Sequence, residues 1–207
     1  MPKMSSYTLN ATPVMTDELI MVDDPAGTPA TKTLTLQALA NLIRSDNLVY
    51  AGRTIKQIDT TASETSMAPS IATGSLTLAA NYLTQGKTMR LRISGTIDST
   101  GSPTLTFKFK IGATTYLTSA AITVGADYND VMFHMEVDWT IWTTGATGTL
   151  AVQGRIFIGT TVVPFSATGW AALDTTASKL LAATAQWSAS SADNVLNISN
   201  YTVEAVN

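Results

Sequence analysis

The stretch Val131-Met132-Phe133-His134-Met135-Glu136-Val137-Asp138-Trp139-Thr140-Ile141 decides the fold. Every odd position is apolar, and the even positions interleave Met132, His134, two carboxylates and Thr140. A period of two sustained over this length marks a β-strand with one face in a core and the other in water. A helix would scatter the same apolar residues around its whole circumference.

The pattern repeats outward from this strand. Met89-Arg90-Leu91-Arg92-Ile93 alternates apolar and basic residues, and Leu105, Phe107, Phe109 and Ile111 alternate with Thr106, Lys108 and Lys110. Leu150, Val152, Ile156 and Ile158 form a fourth run, and shorter candidates cover 54–59, 75–79, 115–122, 179–187 and 195–206. The last changes parity: Leu196 and Ile198 share one face, Tyr201, Val203 and Ala205 the other, which predicts a bulge near Asn200. Turn signals separate the runs at Thr100-Gly101-Ser102-Pro103, Gly112, Gly125-Ala126-Asp127, Thr144-Gly145-Ala146-Thr147-Gly148 and Gly159. Val163-Pro164-Phe165-Ser166-Ala167-Thr168-Gly169-Trp170 shows no clean alternation. The expectation is all-β: a two-sheet antiparallel sandwich of jelly-roll type over 51–207.

Composition agrees. Only 13% of the 207 residues are charged, against roughly 25% in an average domain. About one residue in six is Thr, which suits the wet side of a sheet better than a helix surface. Wet positions built from Thr, Ser, Asn and Ala can be covered by a symmetry mate at little desolvation cost. The absence of cysteine excludes disulfide scaffolds and thiolate metal sites, and the single histidine, His134, excludes a multi-histidine one. A net charge of -3 argues against a nucleic-acid partner, and no apolar run reaches the roughly 18 residues of a membrane helix. Met1-Pro2-Lys3-Met4-Ser5-Ser6-Tyr7 lacks the apolar run of a secretory signal, so the expectation is a soluble product made in a cytoplasm.

Residues 1–50 have a different texture. Leu19-Ile20-Met21-Val22 and Lys32-Thr33-Leu34-Thr35-Leu36 read as two strands around the turn-rich Asp23-Asp24-Pro25-Ala26-Gly27-Thr28-Pro29. Leu36, Leu39, Ala40 and Ile43 then follow the spacing of one short amphipathic helix. Two strands and a helix are too little to stand alone. The segment is therefore read as an attachment and oligomerisation piece, with Leu19, Ile20, Val22, Leu36, Leu39 and Ile43 as its contact residues.

Among candidate sites, Arg90 with Arg92, Lys108 with Lys110, and Glu136 with Asp138 occupy wet faces of three strands; side by side they would form one cross-strand ladder. Glu136 and Asp138 are neighbours on one strand rather than a pair across a cleft, which argues against glycosidase chemistry. Asp127, Asn129 and Asp130 fall in a predicted loop with oxygen ligands for calcium, without the fuller acidic loop pattern. His134 has no nucleophile elbow to serve and reads as a surface residue. The echo of Asp59-Thr60-Thr61-Ala62-Ser63 in Asp174-Thr175-Thr176-Ala177-Ser178 reads as two similar strand ends. Trp139 belongs to the core. Tyr116, Tyr128, Trp142 and Trp170 fall at or near predicted loops, where a ring can stack on a sugar, fill a partner pocket, or pack on the sandwich itself. Nothing calls for a cofactor or metal, and the chain reads as non-enzymatic.

Several stretches resemble a jelly-roll module of tailed-bacteriophage virion proteins. They are Asp59-Thr60-Thr61-Ala62-Ser63-Glu64-Thr65-Ser66, Gly74-Ser75-Leu76-Thr77-Leu78 with Asn81-Tyr82-Leu83, Gly86-Lys87-Thr88-Met89-Arg90-Leu91-Arg92, and Ser102-Pro103-Thr104-Leu105-Thr106. Thr184-Ala185-Gln186-Trp187-Ser188-Ala189-Ser190, Asn194 and Tyr201-Thr202-Val203-Glu204 are similar to its last two strands. Asp17-Glu18-Leu19-Ile20-Met21-Val22 with Lys32-Thr33-Leu34-Thr35-Leu36-Gln37-Ala38-Leu39 looks like the N-terminal segments by which phage fibres and spikes attach. The resemblance implies a virion-located homotrimer, docked on capsid or tail proteins through its N-terminal part, with the sandwich projecting toward a host-surface glycan. A capsid decoration or cement protein that stiffens the shell, and a carbohydrate-binding module, are the alternative readings. Head and tail attachment share the module.

Overall fold

The computed structural model describes residues 18–23, 30–35, 48–167 and 169–207. The chain divides into two compact units, Met1–Asp46 and Asn47–Asn207. In the first, β1 (Glu18–Asp23) and β2 (Ala30–Thr35) pair antiparallel, with Leu19 opposite Leu34 and Val22 opposite Thr31. The helix expected over Leu36, Leu39 and Ile43 lies outside the described residues.

The second unit holds β3 (Leu48–Gly52), β4 (Lys56–Ile58), β5 (Thr65–Ser66), β6 (Ala72–Gly74), β7 (Thr77–Leu78), β8 (Thr88–Thr100), β9 (Thr104–Ile111) and β10 (Thr114–Thr118). It continues with β11 (Ile122–Thr123), β12 (Asp127–Thr143), β13 (Thr149–Ile158), β14 (Thr161–Ser166), β15 (Ala171–Ala172), β16 (Lys179–Trp187) and β17 (Val195–Ala205). A nine-stranded sheet runs β14-β13-β12-β8-β17-β3-β6, with β15 on β13 and β4 on β17. A six-stranded sheet runs β10-β9-β16-β5, with β11 on β9 and β7 on β16. All these pairings are antiparallel.

The apolar faces of the two sheets meet. Phe107 of β9 stacks on Phe133 of β12 at 5.9 Å between ring centroids, and Phe109 packs on Trp139 at 5.0 Å. Met135, Val137 and Ile141 complete the inner face of β12, opposite Leu181, Ala183, Ala185 and Trp187 contributed to the same core by β16. The small Ala183 and Ala185 pair across the strand with Phe109 and Phe107, an alternation of small and large residues that suits close packing.

The parity change in β17 is a bulge: pairing with β8 shifts between Ile198 and Asn200, and the Ser199 hydroxyl donates to Ser94 O. Gly95 faces this irregularity. A Cβ there would lie 1.7 Å from Asn197 O and 3.0 Å from the Phe133 ring, so the register of the two central strands requires glycine.

Three expectations need correction. Residues 127–130 are not a loop but the start of β12, which bulges between Tyr128 and Val131 around Asp130 at φ +52°. The stretch after Val163 is partly strand. Pro164 and the exposed Val162 lie on the outer face of edge strand β14 while Phe165 is buried, so apolar residues on both faces hide the alternation. The three charged strands do not form one ladder, because the chain crosses to the other sheet between β8 and β9.

Arg90 does pair Asp138 at 2.6 Å and Arg92 pairs Glu136 at 3.3 Å. Arg155 of β13 and Glu204 of β17 extend the set, at 3.1 Å to Glu136 and 3.3 Å to Arg92. Lys108 and Lys110 lie on the six-stranded sheet and converge instead on Glu64, which also accepts from the Thr184 hydroxyl.

Two predictions follow from packing and charge. Gly95→Ala should destabilise the sandwich by about 3 kcal/mol in urea unfolding, the upper end of overpacking costs; an unchanged midpoint would contradict the tight β8/β17 approach. The hydrogen bonds from Lys108 and Lys110, helped by Thr184, hold the Glu64 carboxyl at about 2 against an ordinary 4.5. Its contribution is therefore complete above the ordinary value and fades as pH falls from about 4.5 to about 2. Glu64→Gln should cost about 1–2 kcal/mol at neutral pH, discounted for partial exposure, and nothing below the lower limit. A pH series of chemical unfolding curves for both proteins checks this.

Candidate functional site

The outer face of the nine-stranded sheet carries the candidate site, at the end where β12 finishes. Pairing between β12 and β13 steps from Ile141↔Leu150 to Thr143↔Thr149, leaving Trp142 as the extra residue of a bulge. Bulges of this kind turn a side chain out of the regular pleat, and the indole of Trp142 is 56% exposed. The hydroxyls of Thr143 and Thr149 close the ladder beyond it at 2.8 Å.

Trp170 arrives from the sheet edge. β14 follows β13 as far as Ser166↔Gln153, and β15 pairs with it from Ala171↔Leu150, so Ala167, Gly169 and Trp170 stand outside the ladder. Gly169, directly before Trp170, has φ +80°, a left-handed backbone conformation that glycine adopts without strain. Trp170 is 57% exposed, and its ring stacks on Trp142 with centroids 4.7 Å apart and planes at 29°. Each indole thus covers one face of the other and leaves much of its surface to solvent.

Tyr116 supports this arrangement from the six-stranded sheet. Its hydroxyl donates to Ala172 O at 2.7 Å, pinning the strand that begins directly after Trp170, and burial pushes its phenol up. Tyr116 lies inside β10, within the stretch 115–122 expected as a strand, half-buried against the core. It is a positioning residue. Tyr128 is in β12, not in a loop, roughly 45 Å along the strand from Trp142 at about 3.3 Å per residue. Its half-buried ring fills the space beside Gly125, where a Cβ would meet Cε1 at 2.3 Å. The structure thus brings together three of the four predicted aromatic residues and separates the fourth.

Beside the indole pair runs an open groove of about 480 Å³. Asp138, Thr140, Ala151, Val152, Gln153, Ala167, Gly169 and Trp170 line it. A second hollow of about 280 Å³ continues from it over Glu136, Gly154 and Arg155, sharing Asp138 and Gln153. Burial raises the Glu136 carboxyl, but hydrogen bonds from Arg155 and Arg92 outweigh it and hold the group below its ordinary value.

No protein-family model matches the chain, and no curated protein is significantly similar to it.

The other sequence candidates meet different fates. Asp130 N donates to Asp98 Oδ1 at 2.7 Å, so the Asp98 carboxylate is engaged with backbone at that bulge. Among the described residues no cluster of three or more His, Asp or Glu is placed to hold a metal ion, and no helix is long and apolar enough to cross a membrane. His134 shares the outer face with Glu136, 3.9 Å away, and lies beside Phe157. Asp59 and Asp174 both sit in connections ahead of strands, and Asp174 accepts from Thr176 N at 2.9 Å in a local turn. Leu19, Ile20 and Val22 lie on β1.

Sequence reading missed Gln153 and Ala151, since the groove depends on which β13 residues face β12 and the bulge at Trp142 sets that register. The usable signal was their parity with Arg155 on the wet side of the fourth alternating run.

The stacked pair predicts an exciton-coupled circular dichroism band. Trp142→Phe and Trp170→Phe should each abolish it, while Tyr116→Phe should reduce it and cost about 1 kcal/mol of stability. A band unaffected by Tyr116→Phe would show that β15 holds Trp170 unaided.

Proposed function

We propose that this chain is a non-enzymatic structural protein of a tailed-phage virion. In this reading it is a trimeric fibre or spike, its N-terminal unit attaches to capsid or tail proteins, and its sandwich adheres to a host surface. The observation that carries the adhesive role is the outward-facing Trp142 and Trp170 pair, held on strand ends. Large exposed aromatic surface costs solubility and is retained where something binds. Trp142 within β12, and Trp170 directly ahead of the β15 that Tyr116 pins, limit the ordering entropy lost on binding.

Two further features support the reading. The division at Asp46 separates a short hairpin-bearing unit, too small to stand alone, from a self-sufficient sandwich. Within the sandwich, β8 pairs β17 while β9 pairs β16, the nesting of early with late strands that a jelly roll uses. The β12-β13-β14 meander adds to the β8 side of that nest. The jelly-roll module of phage virion proteins, which several stretches resemble, is the form proposed for this sandwich.

The test is physical association. Sedimentation of the purified chain should give a trimer, and antibodies against it should label phage particles. A monomer that fails to associate with particles would overturn the reading. Trp170→Ala should leave trimer and particle association intact and lower adsorption to host cells at least tenfold.

A further inference from the structure

The groove beside the indole pair specifies what kind of surface is recognised, granted the adhesive reading above. Its wall is the indole of Trp170, flat, apolar and open to solvent. Its floor carries a carboxylate from Asp138, an exposed amide from Gln153 and a hydroxyl from Thr140. Ala151 keeps the relief low between them. The ring face of a pyranose is apolar C–H surface and its rim is hydroxyl. An indole wall above planar polar side chains matches those two requirements at once.

The floor is prepared for hydroxyls in particular. Asp138 accepts from Arg90 Nε at 2.6 Å and from Arg90 Nη2 at 3.4 Å. A carboxylate has about four lone-pair sites, so two remain for ligand donors, with the group already oriented. Gln153 supplies both a donor and an acceptor. Thr140 holds its hydroxyl against that of Thr88 at 2.9 Å.

Charge decides between neutral and acidic sugars. Each arginine of this face already pairs a carboxylate: Arg90 with Asp138, Arg92 with Glu136 and Glu204, Arg155 with Glu136. A uronate or sialate would have to displace one of these partners while approaching the carboxylates of Glu136 and Asp138. A neutral ring meets no such cost. Extent decides between a single sugar and a chain. The main groove alone falls in the range of about 300–1,000 Å³ that holds small ligands, and it continues along the strands into the second hollow.

We propose that the trough over β12 and β13 binds an uncharged oligosaccharide chain, with Trp170 as its stacking wall and Asp138, Gln153 and Thr140 as its hydroxyl-reading floor. Trp142 acts by backing Trp170 and fixing its plane.

Titration calorimetry of the full chain with cellohexaose, hexa-N-acetylchitohexaose, a hexuronate oligomer and sialyllactose tests this without reference to any host. The expected result is binding of at least one neutral hexamer, weakened tenfold or more by Trp170→Ala and severalfold by the surface change Gln153→Ala, with both variants retaining the parental melting curve. Binding confined to the anionic probes, no binding of either neutral hexamer, or neutral binding indifferent to Trp170→Ala would overturn it. Attachment of labelled protein to bacterial envelopes is measured in parallel. Envelope binding lost in Trp170→Ala but competed only by the anionic probes sinks the neutral-glycan inference and spares adhesion. Envelope binding that is absent, or unchanged in the variant, sinks the adhesive reading itself.

Discussion

The interlock of Phe107 and Phe109 with Phe133 and Trp139 is the constraint on which the rest of the sandwich depends. Four large rings from two strands of different sheets occupy the same layer, and each must be inward for the layer to close. Because side chains alternate, this fixes the parity of β9 and β12 along their whole lengths. The outward register of Glu136, Asp138 and Thr140 is then a by-product of core packing. So is the placement of Lys108 and Lys110 on the opposite outer surface, which is why the two sets of cations find different carboxylates.

Against that rigid layer, irregularities appear where a side chain must leave the pleat. Ser199 absorbs one residue so that β17 keeps apolar residues inward on both sides of it, and Gly95 yields the space. Trp142 sits in a bulge at the far end of β12, and Trp170 stands outside the β13 ladder nearby. The aromatic pair is made by the last two departures meeting. Neither strand alone presents it.

This explains what was legible in the sequence. Period-two runs announced β8, β9, β12 and β13 because one wet and one dry face leave an unambiguous trace. The parity change at Asn200 was equally readable. Sheet membership was not, since alternation says which residues face inward and not toward which partner; hence Lys108 and Lys110 were grouped with the wrong face. β14 escaped because Val162 and Pro164 put apolar residues on its outer side. Glu64 gave no signal, being one acidic residue in a turn-rich stretch whose cationic partners lie more than forty positions onward. For the site, Trp142, Trp170 and Tyr116 could be picked as residues but not assembled, since their meeting depends on a bulge and a break in an edge strand.

That break has a consequence for life at high local density. A sheet whose border is a long unbroken strand offers a row of free N–H and C=O groups to any neighbour, and copies crowded together would zip edge to edge into fibrils. Here the β13 border is covered in two short pieces, β14 and β15, with Pro164 in the first. The opposite border is β6, only three residues long. Both borders of this sheet are thus broken up, one by a proline within six residues and the other by its shortness, which are the devices that weaken edge-to-edge templating.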